Sequence, residues 1–401
     1  MAAVRAAFLP DTFHEVNGVA HTSRQFELFA RRHEIPFLSI HGGPENGCFT
    51  DRSIRVVQLK RGPLSVGLDA NLHYDPLLFR YARQVQAEIQ QFGADVIHIT
   101  GPGDMGTLGC RVARRLGIPL AISWHTNLHE YAALRLERLL AFCGPAVSRR
   151  AGACAQRVAL SILKRFYRRA AICLAPNQEL VQFVGDLTGR PVFLMKRGVD
   201  TRLFSPQRRS HNLAGHPFRI GYVGRLTAEK NVRFLRELVQ SLRGLGRTDF
   251  ELLIVGEGRE RSWLEHHLPD AILTGVLRDE RLADAYASMD VFVFPSRTDT
   301  FGNVVLEAMA SGVPAVVMSA GGPGFVVESG VSGFVAHSDW EFITAVNQLM
   351  NSETLRLKMS AAARRYACAQ CWDAVFQQVF CAYEACYRLP SSIRHPALGS
   401  A

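Results

Sequence analysis

The sequence predicts an α/β protein with two domains, each built on a doubly wound parallel sheet. Short apolar runs of the kind that form buried strands alternate with helical patterns along both halves of the chain. At 401 residues the chain is long for one hydrophobic core and comfortable for two. A polar, proline-containing stretch from Asp200 to Ser210 interrupts the pattern. We therefore expect two Rossmann-like domains that face one another across a cleft and bind ligands at the carboxyl ends of their strands.

The amino-terminal half begins with an apolar strand from Val4 to Pro10. A loop from Asp11 to Gly18 follows and leads into a helix that runs through Phe29. The segments from Asp95 to Thr100 and from Pro119 to Thr126 read as further strands. Each of these strands would deliver the residues that follow it to one edge of the sheet.

His125 lies at the carboxyl end of the last of these strands. An imidazole can hydrogen-bond a substrate or transfer a proton near neutral pH, which makes His125 a catalytic candidate. An isolated histidine at a strand end is more often structural, so the Trp-His-Thr-Asn context has to support the assignment. His98 and His129 have no comparable context.

The carboxyl-terminal half begins with a strand that starts at Phe218, turns at Gly224 and continues into a loop that carries Arg225 and Lys230. Positioned guanidinium and ammonium groups stabilise charge that develops on phosphates. The alternative is a surface loop with two solvated cations. The strand from Phe250 to Gly258 ends in a Gly-x-Gly turn, which by itself is a weak signal.

The most informative segment begins with a buried strand, Val291 to Phe294, and continues through a loop from Pro295 to Gly302 into a helix from Asn303 to Ala310. Backbone N–H groups and the positive dipole end at the helix start suit a phosphate, and a glycine lets a ligand approach the backbone closely. The residues concerned are Thr300, Phe301, Gly302 and Asn303.

Two carboxylates flank this helix start. Glu307, about one turn into the helix, can accept two hydrogen bonds from a ribose diol, and Asp299 in the loop can do the same for another sugar. The alternative is a solvated pair of acids beside an ordinary helix cap, because short motifs recur by chance.

The segment from Phe294 to Pro314 closely resembles the acid-x7-acid motif of retaining GT-B glycosyltransferases of group 1. The resemblance implies that Glu307 holds the nucleotide ribose and that Asp299 contacts the donor sugar. Many members of the family carry Glu where this chain has Asp299. The run Thr-Asp-Thr-Phe-Gly-Asn is most similar to the bacterial branch that transfers mannose or related sugars to lipid acceptors.

Other positions extend the resemblance over nearly the whole chain. Arg225 and Lys230 match the family's Gly-Arg and Lys positions, and His125 resembles its active-site histidine. The loop that ends at Gly18 resembles the glycine loop that lies against the donor phosphates and sugar. The helix from Cys371 to Tyr387 resembles the family's closing helix, which returns to the first domain.

The resemblance gives the predicted domains their roles. Residues 1–199 form the acceptor-side Rossmann-like domain, and 200–370 the nucleotide-sugar-binding one. Residues 371–389 form the closing helix, and 390–401 a tail.

The predicted activity is transfer of a hexose, with mannose from GDP-mannose favoured, from a nucleotide-diphosphate donor to a lipid or polyprenyl-linked acceptor with formation of an α-glycosidic bond. We expect no cofactor and no metal, since the chain has no Asp-x-Asp pair to hold a divalent ion beside the phosphates. The alternatives are a UDP-sugar-dependent transferase acting on a soluble or glycolipid acceptor, a nucleotide-sugar epimerase of GT-B shape and a sugar-nucleotide sensor. A basic nucleic-acid-binding protein is a further alternative, but no helix-turn-helix or zinc-finger pattern accompanies the charge, so no specific nucleic-acid partner is expected.

Charge suggests where the protein acts. The chain has 46 Lys plus Arg against 36 Asp plus Glu, a formal net charge of +10, which favours anionic surfaces or substrates. No acidic residue occurs from Arg138 to Gln178, and the segment 138–170 alternates basic with apolar residues. Such an amphipathic region can lie on an anionic membrane, although an ordinary packed helix with a solvated basic face would have the same pattern.

The predicted location is the cytoplasm, with peripheral binding to the inner face of the membrane. No apolar run approaches the about 18 residues that span a bilayer, and the amino terminus leads directly into a strand. The nine cysteines fit a reducing compartment as thiols. For Cys368 and Cys371, packing is favoured over a zinc site.

Overall fold

The computed structural model describes residues 4–15, 17–69, 72–209 and 217–388 of the chain. They form two compact units. Unit 1 contains the described residues up to Lys196 together with those from Trp372 onward, and unit 2 contains Arg197–Cys371. The predicted tail, 390–401, lies outside the described residues.

Unit 1 is built on a sheet of eight strands in the order β10-β9-β8-β7-β1-β2-β4-β3, in which only the β3–β4 pair is antiparallel. A separate antiparallel pair, β5–β6, lies outside this sheet. The strands are β1 (Ala6–Leu9), β2 (Phe37–Gly43), β3 (Gly47–Asp51), β4 (Ile54–Lys60), β5 (Val66–Asp69), β6 (Leu72–Tyr74), β7 (Val96–Ile99), β8 (Leu120–Ser123), β9 (Ile172–Ala175) and β10 (Val192–Leu194).

The helices of unit 1 begin and end at residues suited to those positions. The side chain of Asn17 accepts the N–H of Ala20 at the start of α1, while Gly93, Gly117 and Gly189 take the left-handed conformation after α2, α3 and α6. The helices are α1 (Gly18–Arg32), α2 (Ala82–Phe92), α3 (Asp104–Leu116), α4 (Leu128–Leu139), α5 (Pro145–Tyr167), α6 (Gln178–Thr188) and the last helix of the chain, which is α13 (Trp372–Arg388).

The last helix packs into the core of unit 1. Phe376 stacks on Phe26 of α1 with ring centroids 4.4 Å apart. The Tyr383 hydroxyl lies 2.6 Å from Nδ1 of His98, whose Nε2 lies 2.5 Å from the Ser123 hydroxyl. Burial lowers the pKa of His98 to about 3, so its ring is neutral and accepts one of these bonds while it donates the other. A buried polar chain thus joins α13 to β7 and β8.

Unit 2 is built on six parallel strands in the order β13-β12-β11-β14-β15-β16. The strands are β11 (Phe218–Val223), β12 (Phe250–Val255), β13 (Ile272–Gly275), β14 (Val291–Phe294), β15 (Ala315–Met318) and β16 (Gly333–Ala336). The helices are α7 (Phe234–Gly244), α8 (Arg261–His267), α9 (Asp279–Ala287), α10 (Asn303–Ala310), α11 (Asp339–Asn351) and α12 (Glu353–Cys368). The central strands are almost wholly apolar because helices cover both faces of such a sheet.

The most specific element predictions coincide with the structure. The strand Val291–Phe294 and the helix Asn303–Ala310 have the predicted bounds. Unit 2 begins at Arg197, whereas the sequence predicted a domain boundary after residue 199. The chain enters unit 2 earlier because Val199 is already buried in that unit's core.

We predict that Tyr383→Phe destabilises unit 1 without changing its fold. The variant keeps the ring but leaves a buried imidazole nitrogen without its hydrogen bond, which should cost about 1–2 kcal/mol. Denaturant unfolding measures the change. Tyr366→Phe on α12 is the matched control, because the Tyr366 hydroxyl has no partner among the described residues, and an equal loss in both variants would contradict the assignment.

Candidate active site

The loops that follow β11 and β14 meet at the carboxyl edge of the unit 2 sheet. Thr298 donates its hydroxyl to the carbonyl of Glu229 at 3.2 Å, and the Asn231 amide donates to the carbonyl of Pro295 at 3.4 Å. Asn231 itself has a positive φ of 54°, which Asn tolerates better than most residues. These bonds hold the loop that carries the predicted Lys230 beside the loop that carries the predicted Asp299.

Lys230 and Asp299 are directly paired. The ammonium Nζ lies 2.5 Å from Oδ1 of Asp299 and 5.9 Å from the ring centroid of Phe294. Lys230 is only 8% exposed. The structure therefore brings together one predicted phosphate ligand and one predicted sugar ligand as an ion pair.

The loop after β15 closes against the Asp299 loop. The N–H of Gly322 donates to the carbonyl of Asp299 at 2.6 Å. A Cβ at Gly322 would lie 2.1 Å from the carbonyl carbon of Thr300 and 2.3 Å from the nitrogen of Phe301. Only glycine permits this approach, so Gly322 shapes the backbone that would face an anion.

The start of α10 has no side-chain cap. Gly302 precedes the helix with φ +90°, a left-handed conformation that favours glycine, and Asn303 is the first helical residue. Phe301 is buried in the unit 2 core, so only its backbone is suited to a ligand. Thr300 belongs to the same turn. This geometry provides backbone N–H groups and the positive dipole end for an anionic group.

Glu307 lies on α10 and is held by a tyrosine. The hydroxyl of Tyr286, a fully buried residue of α9, donates to Oε2 of Glu307 at 2.9 Å. Burial raises the pKa of Glu307 to about 7, and the hydrogen bond from Tyr286 opposes this rise. The carboxyl group is therefore poised to change its charge near neutral pH.

Arg225 follows β11, where its carbonyl accepts the Tyr222 hydroxyl at 3.0 Å. The first glycine of the Gly-x-Gly turn, Gly256, packs against this loop, since a Cβ there would lie 1.9 Å from the carbonyl oxygen of Gly224. Close packing of two strand ends thus accounts for Gly256 without any ligand.

A surface cavity of about 560 Å³ lies where β13 ends, lined by residues 276–281. Asp279 in its wall has a φ of +48°, an uncommon conformation for a residue with a side chain. The cavity opens on the same sheet edge as the Lys230 and Asp299 loops.

The two predicted site residues of unit 1 also follow strands of their own sheet. His125 is buried just after β8, and the indole N–H of Trp124 donates to Oδ1 of Asn127 at 2.9 Å, which shapes the turn. Gly18 is exposed at the first position of α1. His129 packs in the core, with its ring stacked on that of Phe183.

Sequence reasoning missed three residues that shape these sites. Asp11 follows β1 and accepts the N–H groups of Gly103 and Gly106 at 3.2 and 2.9 Å, and burial raises its pKa to about 7. Gly322 lies in a Gly-Gly-Pro-Gly run after a strand, a pattern that could have indicated a tight backbone approach. No sequence pattern indicated a role for Tyr286, because a tyrosine on the apolar face of a helix is expected to be a core residue.

Two protein families match this chain. Residues 217–352 match the family described as "Glycosyl transferases group 1", and residues 16–193 match "Glycosyl transferase 4-like domain". The two matches together cover most of both units. The chain belongs to the group 1 glycosyltransferases, and the resemblance predicted from its motifs is confirmed.

Several relatives indicate which branch of the family the chain is similar to. The chain is 34% identical over 303 residues to a GDP-mannose-dependent alpha-mannosyltransferase of Mycolicibacterium smegmatis, covering 74% of this chain and 75% of that protein. It is 31% identical to a protein of the same description from Mycobacterium tuberculosis, over 79% of each chain. A sulfoquinovosyl transferase of Arabidopsis thaliana is 29% identical over 77% of this chain and 58% of its own length. The protein is a glycosyltransferase close to bacterial mannosyltransferases.

Solved structures confirm the fold class. Sucrose-phosphate synthase from Thermosynechococcus elongatus superposes with a TM-score of 0.74 at 17% identity, over 96% of this chain and 99% of that one. Anabaena HepE, in complex with UDP and glucose, has a TM-score of 0.69 at 17% identity, over 95% of this chain and 100% of its own. The predicted GT-B fold with two Rossmann-like sheets is correct.

We predict that Gly322→Ala disrupts the site in unit 2. The added Cβ must push the Thr300 and Phe301 backbone away, at a cost of about 1–3 kcal/mol in the free energy of unfolding. Thermal unfolding should show this loss. Gly244→Ala in the last turn of α7 is the matched control, because a Cβ there meets no atom within 4 Å. Its stability should be unchanged or higher, and equal losses would contradict the close approach at Gly322.

Proposed function

We propose that the protein is a retaining α-mannosyltransferase that uses GDP-mannose, without a bound metal, and acts on a lipid or polyprenyl-linked acceptor. The observation that carries the proposal is the grouping of Lys230, Asp299 and Glu307 around the uncapped start of α10 in unit 2. The choice of donor is supported by relatives described as GDP-mannose-dependent alpha-mannosyltransferases.

Lys230 and Arg225 act in the step in which the nucleoside diphosphate leaves. Negative charge grows on the phosphates as the glycosidic bond to the donor breaks. Lys230, Arg225 and the backbone N–H groups at the start of α10 stabilise that charge. They supply the positive charge that a divalent ion provides in other nucleotide-sugar sites, so the proposed reaction has no metal.

The remaining site residues orient the donor. Glu307 accepts hydrogen bonds from the ribose diol, and Asp299 does so from the hexose hydroxyls. In unit 1, Gly18 lets the donor approach the start of α1. His125 hydrogen-bonds the donor sugar or takes part in proton transfer. Retention by a same-face route needs no protein nucleophile, and the acceptor oxygen attacks from the side that the diphosphate leaves.

The α4–α5 segment supports a lipid acceptor. Structure divides its apolar residues into two sets: Leu163, Phe166 and Tyr167 are buried in unit 1, while Phe142 is 84% exposed and Leu139 is 69% exposed. These two residues lie at the turn between the helices, in a stretch that has no acidic residue. Exposed apolar side chains among arginines suit an anionic membrane surface at its inner, cytoplasmic face. Within the described ranges no helix is both long and apolar enough to cross a bilayer.

We expect GDP and GDP-mannose to stabilise the purified protein against thermal unfolding in metal-free buffer, and UDP, ADP and their sugar conjugates to have weaker effects. A ligand at about 100 times its Kd adds roughly 2.7 kcal/mol to the free energy of unfolding.

NMR of the product formed from GDP-mannose with polyprenyl phosphate or glycolipid extracts should show the α-anomer. A β-linked product would contradict retention. A selective stabilisation by UDP-sugars would contradict GDP-mannose as the donor and identify a UDP-sugar instead.

Donor affinity should depend on pH through Glu307. Its pKa of about 7 means that the carboxylate, which accepts two hydrogen bonds from the diol, becomes dominant as pH rises. The affinity for GDP-mannose should therefore rise from pH 6 to pH 8 by up to about tenfold. Titration calorimetry on the parent and on Glu307→Gln tests this. The variant should bind GDP-mannose more weakly, and its affinity should not depend on pH. A variant that keeps the parent's pH dependence would exclude Glu307 as the ribose ligand.

Membrane contact predicts that the double variant Leu139→Asp, Phe142→Asp loses binding to vesicles. Cosedimentation with phosphatidylglycerol and phosphatidylcholine vesicles should show strong binding of the parent and a loss of at least fivefold in the variant, since acids there repel the lipid. Phe325→Asp is the matched control, because Phe325 is an exposed aromatic residue of unit 2. Equal binding by all three proteins would contradict the assignment.

A further inference from the structure

The pairing of Lys230 with Asp299 has a consequence for how a donor enters. The proposed function gives these residues different parts of the donor, the diphosphate and the hexose, yet they bind each other at 2.5 Å. We propose that Asp299 is the resident counter-ion of Lys230, which the donor's diphosphate displaces, and that this exchange releases the Asp299 carboxylate for the hexose. The inference rests on the proposed function and deepens it.

The surroundings of Lys230 require a counter-ion at all times. The residue is nearly buried, and its ammonium lies against the Phe294 ring. An ammonium removed from water without an opposite charge is strongly destabilised. The loop bonds from Thr298 to Glu229 and from Asn231 to Pro295 keep the cation beside its partner. An arriving phosphate therefore exchanges with a carboxylate and does not meet a solvated cation.

Asp299 is held so that its two oxygens differ. Its backbone carbonyl is fixed by the N–H of Gly322, and Oδ1 accepts from Lys230. Oδ2 is buried and has no hydrogen-bond partner in the part of the chain that the structure describes. A buried carboxylate oxygen of this kind lacks a donor, and a sugar hydroxyl would provide one. Oδ2 can therefore accept a hydrogen bond from the hexose without losing one to the protein.

Because of this exchange of counter-ions at Lys230, binding of the diphosphate and binding of the hexose depend on each other. While Asp299 holds Lys230, it competes with any phosphate for the ammonium. Once the diphosphate binds Lys230, the carboxylate becomes a stronger acceptor for the hexose. Removing the carboxylate should therefore have opposite effects, with tighter binding of bare phosphates and weaker use of the sugar donor. A carboxylate that only contacts the sugar would leave the affinity for bare phosphates unchanged.

The test compares Asp299→Asn with the parent in metal-free titration calorimetry against pyrophosphate and GDP, and in turnover of GDP-mannose. We expect pyrophosphate and GDP to bind about tenfold more tightly to the variant, because one negative charge beside the phosphate is gone. Turnover of GDP-mannose should fall by at least tenfold. Asp299→Glu, which keeps the charge, should bind pyrophosphate as the parent does.

Asp339→Asn is the matched control. It removes a carboxylate from an exposed ion pair with Arg297, a residue of the same loop as Asp299, and should change none of these values. Asp299→Ser provides the same comparison if the asparagine variant does not fold, as judged by thermal unfolding.

Unchanged or weaker binding of pyrophosphate by the folded charge-removing variant overturns the exchange, as does a failure of both parent and variant to bind pyrophosphate. Pyrophosphate carries no base and no sugar, so its result is independent of the proposed donor. A parent that binds pyrophosphate but neither GDP nor GDP-mannose would disprove the donor, while the comparison of variants would still decide the exchange.

Discussion

The direction of the strands determines where the chemistry of this protein lies. Parallel strands all end at one edge of their sheet, so the loops that follow them collect there. In unit 2 the loops after β11, β14 and β15 meet and are tied by hydrogen bonds, and in unit 1 the loops after β1 and β8 carry Gly18 and His125. The buried apolar strands provide the rigid frame, and the loops and the helices α9 and α10 provide the polar groups.

Close backbone packing gives these loops their shape. Gly322 approaches the Thr300 and Phe301 backbone, and Gly256 approaches the Gly224 carbonyl, at distances that no side chain would allow. Glycines at strand ends therefore have two different roles in this fold. Gly302 supplies a left-handed turn before a helix, whereas Gly322 and Gly256 allow two stretches of backbone to touch.

Burial determines how the polar groups of unit 2 are paired and charged. In water, Lys230 and Asp299 would each be solvated, but in the closed loop each depends on the other. Glu307 has a raised pKa for the same reason, and Tyr286 holds one of its oxygens in place. The α4–α5 segment shows the opposite situation, since the apolar side chains of Phe142 and Leu139 remain exposed.

The sequence alone determined the fold class, the main strands and helices around the site, and the family. It could do so because periodicity and the acid-x7-acid spacing are local properties of the chain, as the matching bounds of β14 and α10 show. It also identified both acids and both cations of the proposed donor site. Only the tertiary structure decided which groups touch. The Lys230–Asp299 pair spans 69 residues and the Tyr286–Glu307 bond spans 21, and no local pattern records contacts between separate elements. The same holds for the basic segment, where folding buried Leu163 and Phe166 and left Phe142 exposed, because burial depends on what packs against a residue and not on its type.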